Sequence, residues 1–490
     1  MREHREYKII LLILITSYVF VFFVLAQLRY HSFFSYEWED QAEVNRLYWN
    51  ISQGKFVDLY KDILSTGRYY KVHFLWISFA VAAFYKLYPH IQSLFFIISS
   101  SLAISAIPIY LIALRLLKSR LSALLLASSY LFYAPKHSLN FLDSDPIIFI
   151  IPLLLFAFYA AIKAKTRWLY FLTALVLICK TESPLFVITF AAYLYVQRKQ
   201  LQLETKTCLI LFFSGVLFCF LNFYLYQKIS SNSLFDGLYI QNSFDLLDFA
   251  SQYNHSAISA VHGKTLFQLF WPVLLLPIFS WELYVGLPSL VLIILTQDFV
   301  FQKAHYISGV VPFIFIGTIY VIKKFPVRPR LQLLLSLLVL AGCVMSNFGH
   351  NVIGAAYPSS AGIVEDKRFL SANNIFDKRF YLMDEDDKIA WRLIKMVPDD
   401  TSVTASGDLL VPFSSRAKLY EFLNTHFDYY NVDYMLLHNK NAYIGAGHYE
   451  WDDKKMREEL DKLLKDENWS LLEKEGNFFL FIRKKKAAYD

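Results

Sequence analysis

The sequence predicts an α-helical polytopic membrane protein with a small C-terminal α/β domain outside the membrane. Three observations carry this. Of 490 residues, 56% are hydrophobic and only 18% charged, with a mean hydropathy of +0.37, a balance soluble domains rarely show. Apolar runs of roughly 18 or more residues recur along the first two thirds of the chain. From residue 349 onward the composition turns charged, with soluble-type patterning.

The first apolar run, residues 9–28, follows the basic start MREHREYK. Val24-Leu25-Ala26-Gln27 resembles a signal-peptide cleavage site, but the run exceeds the roughly 7–15 residues of a signal-peptide core. It reads as an uncleaved helix with its N-terminus in the cytoplasm. Four basic stretches then set the threading: residues 115–120, 163–167, 198–206 and 323–330. Short loops rich in Lys and Arg stay cytoplasmic. All four reach that side only if residues 74–87 do not cross. That stretch falls short of the roughly 20 residues a bilayer needs. It reads as an interfacial helix, with Trp76, Phe79, Phe84 and Tyr85 near the headgroups.

About eleven transmembrane helices result: residues 9–28, 91–117, 121–134, 147–162, 168–179, 185–196, 207–226, 266–279, 284–295, 306–322 and 331–346. Residues 1–348 form the transmembrane domain, with an outer loop over 29–90. The odd count places 349–490 outside. There, 384–396 and 452–465 read as helices and 402–405 and 433–437 as strands. Residues 469–473 and 477–483 suit a hairpin turned at Glu475-Gly476.

The net charge of +7 is accounted for by the cytoplasmic loops and the tail, and no basic–aromatic surface points to nucleic acid. Cys179, Cys208, Cys219 and Cys343 sit singly in apolar runs, as small buried hydrophobes do. There is no P-loop, GxSxG, HExxH or dinucleotide fingerprint. Nor is there an internal repeat of the kind secondary transporters show.

Polar residues gather in the outer loops. Glu37, Glu39, Asp40 and Glu43 follow the first helix. His137, Asp143 and Asp145 lie in HSLNFLDSDP, Lys180 and Glu182 in CKTESP, and Asp298, Lys303 and His305 in QDFVFQKAHY. The long loop 227–264 holds Asp236, Asp245, Asp248, His255 and His262. Ionisable residues at membrane depth are costly and mark function, although a solvated loop explains any single acidic one. Lys180 and Glu182 stand between two apolar segments, where a structural ion pair and a catalytic role account for them equally.

Several of these residues carry a resemblance. Asp40, Trp49, Asn50 and Gly54 fall at the spacings of an Asp-led, Trp-Asn, Gly motif of the DUF2079 family of uncharacterised membrane proteins. His73-Phe74 matches its His-Phe. Asp143 and Pro146 match an Asp-Phe-His-Pro motif in which Ser144 and Asp145 stand for Phe-His. Lys180 and Glu182 match Lys-Glu-Asp with Thr181 in the middle, and His305, Tyr306 and Pro312 match a His-Tyr motif leading into a helix. In the tail, VPDDTSVTASGDLLVPFSSRAKLYEF resembles a Pro-His…Arg segment with Phe413 in place of His. The chain thus resembles DUF2079 from about Asp40 to Leu437. With its early acidic loop and interfacial helix, it also looks like the GT-C superfamily of membrane glycosyltransferases.

The resemblance implies a GT-C-like fold and transfer of a sugar from a polyprenyl-phosphate donor to an envelope acceptor, at the outer face of a bacterial inner membrane. Asp40 is the implied catalytic base. Lys180 would hold the phosphate, backed by His305 and Lys303 and flanked by Arg68, Lys71 and His73. Asp143, Asp145 and Glu182 would position the acceptor; in some GT-C enzymes such residues help hold a divalent cation, the sole cofactor implied. A transporter or flippase of lipid-linked substrates and a non-catalytic envelope scaffold are the alternatives.

Overall fold

The structure, a computed structural model, describes residues 2–33, 38–55, 75–142, 145–230, 266–295, 304–325, 328–349, 374–422, 430–438 and 453–484. It is mostly helical. Five helical stretches have the length and apolarity to cross a membrane: Arg5–His31, Ile91–Leu117, Thr205–Leu225, Tyr306–Lys323 and Pro329–Gly349. Shorter apolar helices accompany them at Arg120–Leu131, Pro146–Ile162, Thr166–Leu177 and Trp281–Ile293.

Helix α1 (Arg2–His31) is followed by α2 (Trp38–Ser52), a helix the sequence did not announce inside the loop expected over 29–90. The stretch expected at the interface forms α3 (Ile77–Tyr85), nine residues long. At 1.5 Å per residue it extends about 14 Å, half the hydrocarbon thickness. Helices α4 (Ile91–Ile104) and α5 (Ala106–Leu117) continue one into the other through Ser105. Pro108, which has no N–H to donate to the preceding turn, accounts for the break.

The expected helix over 121–134 stops early. Helix α6 (Arg120–Leu131) is capped by Ser119, whose Oγ accepts the Ser122 N–H at 3.2 Å. The chain turns at Phe132-Tyr133 and restarts as α7 (Ala134–Leu142), where a loop was expected. Pro135 suits the first turn of a helix, in which its missing donor leaves nothing unpaired. Next come a 3-10 turn (Pro146–Phe149), α8 (Ile150–Ile162), α9 (Thr166–Leu177), α10 (Ser183–Leu201) and α11 (Thr205–Ser230).

The segment 266–279 corrects a second expectation. It is α-helical only over 266–270, then runs through two 3-10 turns, Trp271–Val273 and Leu276–Phe279, joined by Leu274 and Leu275 in the left-handed region at φ 58° and 57°. Pro272 and Pro277 cannot donate to an α ladder, so the helix dissolves there. A third turn (Trp281–Gly286) leads into α12 (Leu287–Leu295). A fourth (Ala304–Gly309) leads into α13 (Val311–Lys323), whose side chains are almost all buried, and α14 (Pro329–Gly349) follows. Gly342 on α14 lies so close to the carbonyl of Pro272 that a Cβ would collide with it.

The C-terminal part opens with α15 (Glu385–Ile394). Asp384 and Asp387 close it with a reciprocal capping box, side chain to backbone N–H at 2.8 and 2.9 Å, which satisfies two orphan donors of the first turn. A five-stranded sheet follows in the order β2-β1-β3-β5-β4. Strands β1 (Val403–Ala405), β2 (Leu419–Glu421) and β3 (Tyr434–His438) are parallel. β4 (Trp469–Glu475) and β5 (Phe478–Arg483) form the antiparallel hairpin, turned at Gly476-Asn477 with Gly476 at φ +55°. Short helix α16 (Leu410–Phe413) crosses between β1 and β2, and α17 (Asp453–Lys465) precedes the hairpin.

This sheet domain is seated on the bundle. Ala26 of α1, Ala42 of α2 and Ile91 and Phe95 of α4 share one buried cluster with Leu393, Leu410, Leu436 and Leu480. Polar bonds fasten the seam: Ser32 Oγ donates to the Phe380 carbonyl at 2.8 Å, and Trp391 Nε1 to the His31 carbonyl at 2.8 Å. The domain therefore sits where α1 ends. Tyr7, near the start of α1, lies instead beside Tyr110 and Arg120, so the basic loop over 115–120 belongs to the opposite end.

Two outcomes follow. Gly342→Ala gains up to about 1 kcal/mol of helix propensity but drives a methyl group into backbone, an overpacking that costs about 1–3 kcal/mol. The thermal midpoint of the detergent-solubilised protein should fall, and an unchanged or higher midpoint would refute the close approach. In the sheet domain, Asp433 accepts from the Ser402 hydroxyl at 2.6 Å and the Ser402 N–H at 2.9 Å. These bonds hold its carboxyl below the usual range. A folded-state pKa below the unfolded value stabilises above about pH 4 and is lost as pH falls through the folded value. Asp433→Asn should flatten that acid-side decline in thermal midpoint; an identical profile for both proteins would remove the contribution.

Candidate functional site

The turn between α9 and α10 carries Lys180 and Glu182. It is held from three sides. The Lys180 N–H donates to Ser183 Oγ at 3.0 Å, Asn222 Nδ2 of α11 donates to the Thr181 carbonyl at 3.1 Å, and the Ile77 N–H of α3 donates to the Ile178 carbonyl at 2.9 Å. Pro184 at the start of α10 favours a helix beginning at this point.

Lys180 Nζ lies 2.6 Å from Asp145 Oδ2 and 3.6 Å from Glu182 Oε1, with its side chain 2% exposed. Asp145 is fixed as well: its Oδ1 accepts the Ile147 N–H at 2.9 Å and caps the turn Pro146–Phe149. Burial alone would lower the Lys180 pKa, but the Asp145 charge, then that of Glu182 and the hydroxyl of Tyr306, outweigh it and hold the ammonium protonated. Burial raises the Glu182 carboxyl, against the opposing pull of Lys180. Two carboxylates around one cation make the cluster anionic when all three are ionised.

Helix α2 overlies this cluster. Tyr48, buried, is within electrostatic reach of Asp145 and lies against the Ser78 hydroxyl; burial raises its pKa. Its ring is 6.0 Å from that of Tyr85. The Tyr85 hydroxyl donates to Asn45 Oδ1 at 2.8 Å, and Asn45 Nδ2 donates to Ser414 and Ser415 Oγ at 2.7 and 3.0 Å. Arg46 reaches the carbonyls of Arg416 and Ala417 at 3.1 and 2.7 Å. Arg416 is spread over the Phe413 ring at 4.5 Å and donates to the carbonyls of Pro398 and Thr401. Burial brings its pKa down to about 10, so it stays charged at neutral pH. A continuous set of contacts thus runs from the charge cluster through α2 and α3 to the sheet domain.

Of the residues singled out in the sequence, Asp145, Lys180 and Glu182 come together. The turn Ala304–Gly309, which contains His305, packs against Pro146–Phe149, and its Tyr306 acts on Lys180. Asp40 lies in the first turn of α2, two turns before Tyr48 and so about 12 Å away along the axis. The Asp40 and His305 side chains, and His73, Asp143 and Lys303 altogether, lie outside the described residues. So do Arg68, Lys71, Asp298 and the loop 231–265. No group of three or more His, Cys, Asp or Glu side chains fit for a metal occurs among the described residues.

His137 is displaced from its expected loop. It sits on α7 inside the bundle, 3% exposed, with Nδ1 2.8 Å from Asn347 Oδ1, Nε2 2.7 Å from the Leu131 carbonyl, and its ring against Phe22. Beside it, Lys136 is fully buried between the rings of Tyr18 and Tyr130, with Nζ 3.9 and 4.3 Å from their centroids. The sequence reading missed Lys136 and Tyr48, and named Tyr306 only within the His-Tyr motif. For Lys136 the one signal was a basic residue between two apolar runs at the end expected to be poor in Lys and Arg.

A family model described as "Predicted membrane protein (DUF2079)" matches residues 29–480. No curated protein matches the chain.

The cluster makes a stability prediction. Removing one partner of a buried ion pair leaves an uncompensated charge and costs about 3–5 kcal/mol. Lys180→Met should lower the thermal midpoint sharply, and Asp145→Asn combined with Lys180→Met should recover a substantial part of the loss. Equal midpoints for native protein and Lys180→Met would show that the three charges are not coupled.

Proposed function

The chain belongs to DUF2079, a family of predicted membrane proteins, and on that footing we propose that it is a GT-C-type glycosyltransferase using a polyprenyl-phosphate sugar. The observation that carries the proposal is the Asp145–Lys180–Glu182 cluster, with Tyr48 of α2 within electrostatic reach of it. A cation kept charged while withdrawn from water is what a departing phosphate requires. In this reading an acceptor hydroxyl attacks C1 of the sugar and the C1–oxygen bond to phosphate breaks. Asp40 takes the hydroxyl proton, and polyprenyl phosphate leaves. Lys180 holds the phosphate, with His305, Lys303 and His73 beside it; Asp143, Asp145 and Glu182 orient the acceptor or help hold a divalent cation.

The membrane of this reading is a bacterial inner membrane. The basic loops face the cytoplasm with the N-terminus, and the sheet domain lies outside with the acceptor, which the positive-inside tendency supports. A second reading has a specific observation behind it. Asp145 already caps a turn while pairing with Lys180, as in a structural clamp, and such a clamp suits a non-catalytic envelope scaffold.

Reconstitution in vesicles with a panel of polyprenyl-monophosphate sugars separates the two. The native protein should turn over at least one donor, and Asp40→Asn should lower the rate by about 100-fold or more, the scale of a lost general base, at an unchanged thermal midpoint. Equal rates would remove Asp40 as the base. Absence of turnover with every donor would favour the scaffold.

A further inference from the structure

At the far end of α10 from Lys180, a cavity of about 270 Å³ opens between α10, the turn Trp281–Gly286 and the end of α13. The proposed chemistry makes no use of it. Glu282 lines it with only 6% exposure. One carboxylate oxygen accepts from the Tyr193 hydroxyl at 2.9 Å and the other from the Ser280 hydroxyl. A carboxylate offers about four lone-pair sites, so acceptor capacity is left for an occupant. The rings of Tyr193, Trp281 and Tyr320 also line the cavity, together with Lys323 and Lys324. Lys324 Nζ spends one donor on the Phe279 carbonyl at 2.9 Å, leaving two.

The lining makes two opposite demands. A buried carboxylate with acceptor sites to spare favours an ammonium group; two lysines, one of them already standing 5.4 Å from the Tyr320 ring centroid, favour a phosphate. The surroundings say where such a ligand comes from. Val196, Phe279, Trp281 and Tyr284 are 73%, 69%, 72% and 57% exposed, an apolar surface that in a membrane protein faces lipid. Arg198 and Lys199 in the last turn of α10 keep this end basic, as in headgroup pockets between transmembrane helices. At this volume, below the roughly 300–1,000 Å³ of drug-sized sites, the cavity takes a headgroup and leaves the acyl chains outside on the exposed aromatics.

We propose that this cavity binds the headgroup of an aminophospholipid, with its phosphodiester on Lys323 and Lys324 and its primary ammonium on Glu282. An anionic glycerol headgroup would satisfy the lysines but present no positive charge to the buried carboxylate. The preference therefore runs toward ethanolamine.

The test is native mass spectrometry of the full-length protein released from vesicles of equal phosphatidylethanolamine, phosphatidylglycerol and phosphatidylcholine. Phosphatidylethanolamine should be retained at least five-fold over phosphatidylglycerol. Lys323→Gln with Lys324→Gln, both exposed positions, should lower its retention at least five-fold at an unchanged thermal midpoint, and Glu282→Gln should erase the headgroup preference. Where Glu282→Gln fails to fold, the lysine pair carries the test. Equal or stronger retention of phosphatidylglycerol, or retention indifferent to the lysine pair, overturns the proposal.

Discussion

The cost of withdrawing Lys180 from water governs much of this structure. An ammonium cannot stay charged in a low-dielectric interior without close counter-charges. The protein supplies Asp145 from one turn and Glu182 from the same turn as the lysine. Each must then be held still. Asp145 is immobilised by capping the chain into α8, and the Lys180 turn by Asn222 and Ile77. Four separate segments, the two turns, α3 and α11, are thereby committed to one point.

A second principle is that two breaks inside the bundle are matched to a neighbouring helix. Pro272 and Pro277 dissolve the helix after residue 270, and the freed Pro272 carbonyl accepts from Cys343 Sγ of α14 at 3.6 Å, an approach that Gly342 leaves room for. Phe132, at the break between α6 and α7, has its carbonyl taken by Asn347 Nδ2 at 2.7 Å. In lipid an unpaired backbone group costs several kcal/mol, and Cys343 and Asn347 of α14 supply the donors at these two breaks.

Much of the helical architecture was legible because apolar runs and basic loops are strong signals. The limit set on residues 74–87 came from the side of the basic loops and from length, and α3 is nine residues long. What escaped the sequence has physical causes. Strand β2 (Leu419–Glu421) is defined by its parallel pairing to β1, a long-range fact. Helix α7 was read as loop because His137, Asp143 and Asp145 gather in that stretch; within the bundle, Asn347 meets His137 and aromatic rings flank Lys136. At the site, Lys180 and Glu182 were visible as charges out of place. Asp145 as the close partner of Lys180 was not, since 35 positions separate them and only folding brings them within 2.6 Å.

The shared cluster that joins Ala26, Ala42, Ile91 and Phe95 to Leu393, Leu410, Leu436 and Leu480 has a consequence for biogenesis. A ribosome makes the bundle first, and domains generally fold in the order of their synthesis. The apolar crown at the end of α1 therefore stands naked until residues 385–480 have emerged and settled onto it. For that interval the nascent protein is inserted yet unfinished, with a greasy face open to chaperones and proteases, and a ribosome stalling late in the message would strand it there.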